Sequence, residues 1–118
     1  MVTNVFIVDD DKDTLGMLSE VLQEAENIML LGAESNPNLA ARHIQSLLTP
    51  PHVLLTDINM PGLGGRELAA AATRCWPHLR VIFFSGEAGE DTLDGHTRLR
   101  KPLGNEELIE TIRKVADH

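Results

Sequence analysis

His52-Val53-Leu54-Leu55-Thr56-Asp57-Ile58-Asn59-Met60-Pro61-Gly62 is the stretch on which the fold turns. Val53, Leu54 and Leu55 make an unbroken apolar run, the habit of a strand buried on both faces in a parallel sheet, and Pro61-Gly62 marks a turn. The run ends in one carboxylate, Asp57. Ligands of open α/β sheets gather at the carboxyl ends of the strands, so Asp57 stands where chemistry is usually found. The stretch alone leaves two readings open: a reactive acid, or an acid capping the following turn.

The same design recurs on either side. Val5-Phe6-Ile7-Val8 is an apolar run ending in Asp9-Asp10-Asp11, and Val81-Ile82-Phe83-Phe84 is another ending in Ser85-Gly86. Ile28-Met29-Leu30-Leu31 reads as a strand stopped by Gly32, and Thr97-Arg98-Leu99-Arg100 alternates as an edge strand running into Lys101-Pro102. Between them lie helical patterns. Leu15, Leu18, Leu22 and Ala25 recur at three- and four-residue spacing behind a cap at Asp11 or Asp13. Leu39, Ala40, Ile44, Leu47 and Leu48 form a second stripe opened by Asn36-Pro37-Asn38. Gly64-Gly65 opens an alanine-rich helix that closes at Trp76-Pro77, and Leu108, Ile109, Ile112 and Val115 mark a last helix with Arg113 and Lys114 at its negative end. Alternating strands and helices predict a doubly wound α/β fold with one parallel sheet. One crossover is too short: Gly86 to His96 is glycine-rich, leaving at most a helical turn or two around Glu90 to Asp94.

Bulk properties narrow the class. The 118 residues predict one domain, 1–118. Ten Lys and Arg against eighteen Asp and Glu give a net charge of −8, which argues against nucleic acid as a direct partner and favours cations. Cys75 is the single cysteine, so no internal disulfide is possible and a reducing cytoplasmic setting is expected. No apolar run is long enough for a membrane span.

A parallel sheet brings its carboxyl ends to one rim, which would gather Asp9, Asp10, Asp57, Ser85 and Lys101. Carboxylates crowded at one edge repel and call for a cation; oxygen ligands without His or Cys favour a hard ion such as Mg²⁺, which readily shares phosphate oxygens. Lys101 can neutralise a phosphoryl oxygen and Ser85 can donate to another. Asp57 then becomes a candidate nucleophile for an aspartyl-phosphate.

In this order, each at a strand end, Val8-Asp9-Asp10, Asp57 with Met60-Pro61-Gly62, Ser85-Gly86 and Lys101-Pro102 resemble the response-regulator receiver domain of two-component signalling, over essentially the whole chain. The resemblance implies a flavodoxin-like five-stranded parallel sheet of order 2-1-3-4-5, here with the fourth helix shortened or missing. It implies phosphorylation of Asp57 from the phosphohistidine of a histidine kinase or histidine phosphotransfer protein. Asp10, Asp57 and the Asn59 backbone carbonyl would hold Mg²⁺, with Asp9 acting directly or through water. Ser85 would be the switch hydroxyl, and Lys101-Pro102 would be cis. Asn59 and Glu87 would tune phosphoryl lifetime, and polar side chains there together with Gly86 predict a labile group. Such a domain promotes its own phosphorylation and dephosphorylation rather than acting as an enzyme on a separate substrate, and it passes the signal to a downstream effector. The chain reads as a stand-alone receiver or one excised from a hybrid kinase or longer regulator.

Two departures stand out. The position three before the lysine, usually aromatic in this family, is Arg98, and the shortened Gly86 to His96 segment removes most of the usual fourth helix. Among other classes, a pseudo-receiver binding module would keep the fold without the chemistry. An aspartyl-nucleophile phosphohydrolase would need an acid where Asn59 stands. His43, His52, His78, His96 and His118 show no ligand spacing and read as surface or strand-end residues. Cys75 reads as a packing partner of Trp76.

Overall fold

The computed structural model describes residues 1–87 and 89–117, so Ala88 and His118 lie outside the described residues. The order is β1 (Thr3–Val8), α1 (Lys12–Glu24), β2 (Ile28–Glu34), α2 (Pro37–Ser46), β3 (Val53–Asp57), α3 (Gly65–Cys75), β4 (Arg80–Ser85), β5 (Thr92–Leu93), β6 (His96–Arg100) and α4 (Asn105–Ala116). The sheet runs β2-β1-β3-β4-β6-β5. Its first five strands are parallel, in the expected 2-1-3-4-5 order of parallel strands.

Both faces of this sheet are covered, which is why its strands read as continuous apolar runs. Successive residues point to opposite sides: Phe6 and Val8 pack with α2 and α3, whereas Val5 and Ile7 pack with α1 and α4. Asp11 caps α1 by accepting from the Asp13 N–H at 3.1 Å, and hydrogen bonds from the Thr14 hydroxyl and this N–H hold its carboxyl below the usual range. Asn36 caps α2, with Pro37 at its first position.

The structure corrects several expectations. The strand Ile28–Glu34 does not stop at Gly32 but passes through it, with a register shift opposite Val5 and Phe6. The glycine is used for close approach: a Cβ there would lie 2.6 Å from the Phe6 ring and 2.9 Å from His43. His43 is accordingly half-buried, edge-on to Phe6 at 4.9 Å, rather than a simple surface residue. Leu48 leaves the α2 stripe and is 98% exposed, because α2 ends at Ser46. Cys75 is exposed and does not pack as foreseen. Trp76 alone turns inward, its indole N–H donating to the Ile44 carbonyl at 2.9 Å.

The largest difference lies between β4 and β6. No helical turn forms around Glu90 to Asp94 among the described residues; instead β5 pairs antiparallel with β6 through Thr92↔Thr97 and Leu93↔His96. Asp94 and Gly95 join the two strands with φ of 54° and 79°. Two successive positive φ values are the signature of a two-residue type I′ hairpin, for which Asp-Gly is well suited. Sequence reading gave weight to the helical crossovers on either side and passed over this local turn signal.

Candidate functional site

The parallel strands end on one rim and carry the expected side chains there. Asp9 follows β1, Asp57 closes β3, Ser85 closes β4, and Lys101 follows β6. Asp9 is fully buried, and Asp57 and Ser85 are nearly so, while Asp10 is exposed. The Lys101 ammonium donates to Asp9 Oδ2 and Asp57 Oδ2, each at 3.0 Å. It also lies 4.6 Å from the centroid of the Phe84 ring, a cation–π contact that the sequence reading missed because Phe84 looked like ordinary core. Burial works against this ammonium, but hydrogen bonds to Asp57 and Asp9 outweigh it and hold Lys101 above its usual value.

Burial raises the Asp9 carboxyl, opposed by the Asp11 N–H, which donates to Asp9 Oδ1 at 2.9 Å, and by Lys101. One carboxylate oxygen from each of Asp9, Asp10 and Asp57 lies within 4.8 Å of the others. This donor set is all oxygen and strongly anionic. It therefore fits a hard divalent cation such as Mg²⁺.

Ser85 is fixed from both sides. Its backbone carbonyl accepts from the Lys101 N–H at 2.8 Å, and its hydroxyl oxygen accepts from the Glu87 N–H at 3.1 Å. The hydroxyl proton remains available to an acceptor on the rim. Asn59 is drawn in by its backbone N–H, which donates to Asp57 Oδ1 at 3.3 Å. The Glu87 side chain is exposed, and its backbone N–H ties it to the cluster through Ser85. The Lys101-Pro102 peptide is cis, as expected.

Gly65 is a supporting residue that sequence reading placed only as a helix opener. A Cβ on it would collide with the Asp57 backbone oxygen, and its N–H donates to the Ile58 carbonyl at 2.9 Å. Absence of a side chain thus lets α3 begin directly against the strand that carries Asp57.

Comparison with known proteins meets this geometry. Residues 5–113 match the response regulator receiver domain. The chain belongs to the receiver-domain family. The receiver is 32% identical over 120 residues to the positive alginate biosynthesis regulatory protein of Pseudomonas aeruginosa, covering 96% of this chain and 47% of that protein. It is 29% identical to the response regulator receiver protein CpdR of Brucella abortus, covering 94% of each. The response regulator domain of Thermotoga maritima CheB superposes with a TM-score of 0.84 at 24% identity, over 100% of this chain and 98% of that one, which bears on the fold. The receiver spans 32 to 48% of the length of the first curated relatives it matches. Among the described residues no helix is long and apolar enough to cross a membrane.

Proposed function

We propose that this receiver, as a single domain over 1–118, takes a phosphoryl group onto Asp57 from the phosphohistidine of a histidine kinase or histidine phosphotransfer protein, and passes the change on to an effector. The observation that carries the proposal is the Lys101 ammonium held 3.0 Å from both Asp9 and Asp57, beside a third carboxylate, Asp10. Asp57 offers an oxygen to phosphorus; the new O–P bond forms as the N–P bond to the donor histidine breaks, and the imidazole departs with that electron pair. Asp10, Asp57 and the Asn59 carbonyl would hold Mg²⁺, with Asp9 acting directly or through water, and the ion would supply charge neutralisation for the phosphoryl oxygens. Lys101 already neutralises an Asp57 oxygen and would pair a phosphoryl oxygen as charge builds there. The Ser85 hydroxyl, its oxygen braced by the Glu87 N–H, would donate to another.

Asn59 and Glu87 are the residues we assign to phosphoryl lifetime. Among the described residues nothing lies within 4 Å of where a Gly86 Cβ would stand, and with no side chain there to cover it the phosphoryl group is expected to be labile. A shallow apolar groove lined by Met17, Leu18, Phe84, Pro102 and Leu103 adjoins Lys101 and suits a helix of the phosphodonor. The net charge of −8 disfavours direct nucleic-acid binding, and a cytoplasmic setting suits the donors named. The domain acts as an acceptor that promotes its own phosphorylation and hydrolysis, not as an enzyme on a second substrate.

The test is mass spectrometry of the protein in Mg²⁺ with acetyl phosphate or phosphoramidate, beside Asp57→Asn. One phosphoryl group gained by the wild type and lost from the variant supports the reading. Equal labelling of both proteins, or of neither, sinks it.

A further inference from the structure

The β5–β6 hairpin stands where the sequence left room for at most a helical turn or two, and it is fastened to the acceptor by two separate routes. The first is an ion pair. Arg66, in the first turn of α3, grips Asp94 at the tip of the hairpin with both prongs of its guanidinium, Nε to Oδ2 at 2.8 Å and Nη2 to Oδ1 at 2.7 Å. A bidentate pair fixes orientation as well as distance. Hydrogen bonding from Arg66 also holds the Asp94 carboxyl below its usual range.

Arg66 is not an arbitrary anchor. Its neighbour Gly65 is pressed against the Asp57 carbonyl, and its N–H donates to the Ile58 carbonyl, so the first turn of α3 is held directly against the end of β3. The second route is β6 itself, which runs from the hairpin turn to Lys101, whose ammonium holds Asp57 Oδ2. A closed circuit results: Asp57, Gly65, Arg66, Asp94, β6, Lys101 and back to Asp57. Leu93 and His96 tie the hairpin inward. Leu93 packs on the core that contains Phe83, and the His96 ring sits 5.8 Å from the Phe83 ring.

We infer that Arg66 and Asp94 are positioning residues that couple the charge state of Asp57 to the β5–β6 hairpin, making this hairpin the element that reports phosphorylation to a partner. The inference rests on the phosphoacceptor reading above. A phosphoryl group on Asp57 redirects the Lys101 ammonium and so pulls on β6, while Arg66 keeps the hairpin tip in register with the start of α3. The pair is exposed on both sides, with side-chain accessibilities of 57% and 41%. Exposed pairs are weak fastenings that rearrange readily, as a reporting element requires, and their hold fades in salt.

The hairpin turn makes a clean test possible, because Asp94→Asn removes the charge while Asn-Gly keeps the type I′ turn. Amide chemical shifts of the isotope-labelled protein would be recorded in Mg²⁺ with and without beryllofluoride, for wild type, Asp94→Asn, Arg66→Gln and Arg66→Lys. The expected result is a response at Asn59 and Lys101 in all four proteins. The response across Thr92 to Thr97 should fall to about half or less in Asp94→Asn and Arg66→Gln, and be partly restored in Arg66→Lys, which keeps the charge but not the fork. Raising the salt should weaken the wild-type hairpin response alone. An undiminished hairpin response in Asp94→Asn and Arg66→Gln overturns the coupling and leaves the acceptor reading standing. Loss of the Asn59 and Lys101 response in those variants also overturns it, since Arg66 would then act on the site itself. Silence at Asn59 and Lys101 in the wild type removes the acceptor reading and the coupling together.

Discussion

Asp9 and Asp57 share one ammonium, and that sharing sets the balance between stability and function at this rim. Asp9 is fully buried, and burial raises its carboxyl, so its charge is tolerated rather than favoured by the fold. Asp9→Asn in metal-free buffer should therefore raise stability by about 1 kcal/mol while weakening Mg²⁺ binding about tenfold, read by urea unfolding and calorimetric titration. His96 gives a pH prediction of definite sign. Burial, with Arg80 adding and Asp94 opposing, lowers its imidazole from the usual 6.5. A base depressed in the fold leaves stability fully present above the unfolded value of 6.5, and stability is lost as pH falls from there through the folded value. The drop in urea midpoint between pH about 7.5 and about 5.5 should shrink in His96→Gln; an equal drop in both proteins would refute the assignment. Of these residues, Asp9 could be picked out from its place after an apolar run. The burial of His96 could not, because it depends on Phe83 arriving from another strand.

Elements show the same division more sharply. The parallel strands and four helices were legible because apolar period and caps are local properties, as at Asn36-Pro37 for α2. The passage of β2 through Gly32 was not, since glycine reads as a stop and only the Phe6 and His43 rings show why none but glycine fits. Two glycines beside the rim make a paired prediction. Gly65→Ala should cost about 3 kcal/mol in urea unfolding, because its Cβ would meet rigid backbone at Asp57. Gly86→Ala meets nothing within 4 Å among the described residues, so stability should stay within about 0.5 kcal/mol and the phosphoryl group on Asp57 should hydrolyse several-fold more slowly behind the added methyl. A loss from Gly86→Ala as large as that from Gly65→Ala would show that the two backbones are not distinguished as described.

At the scale of the whole molecule, a sheet covered on both faces leaves its carboxyl rim as the place where polar groups from separate strands collect. Filling that rim with a cation should stabilise everything behind it. Mg²⁺ at ten times its dissociation constant is expected to add about 1.4 kcal/mol, or about 4–6 °C in thermal midpoint, and the gain should vanish in Asp10→Asn or on chelation. An equal gain in Asp10→Asn would point to a general salt effect. Sequence by itself determined the order of the parallel strands and four helices, the acids, hydroxyl and lysine at the strand ends, and the charge of −8 that asks for a cation, because composition, periodicity and strand-end position are written along the chain. Tertiary structure alone decided that one ammonium bridges Asp9 and Asp57, that Phe84 lies beneath it, and that Arg66 reaches across 28 residues to the hairpin at Asp94. Those contacts join residues brought together only when the sheet closes, and no local pattern in the sequence encodes a distance through space.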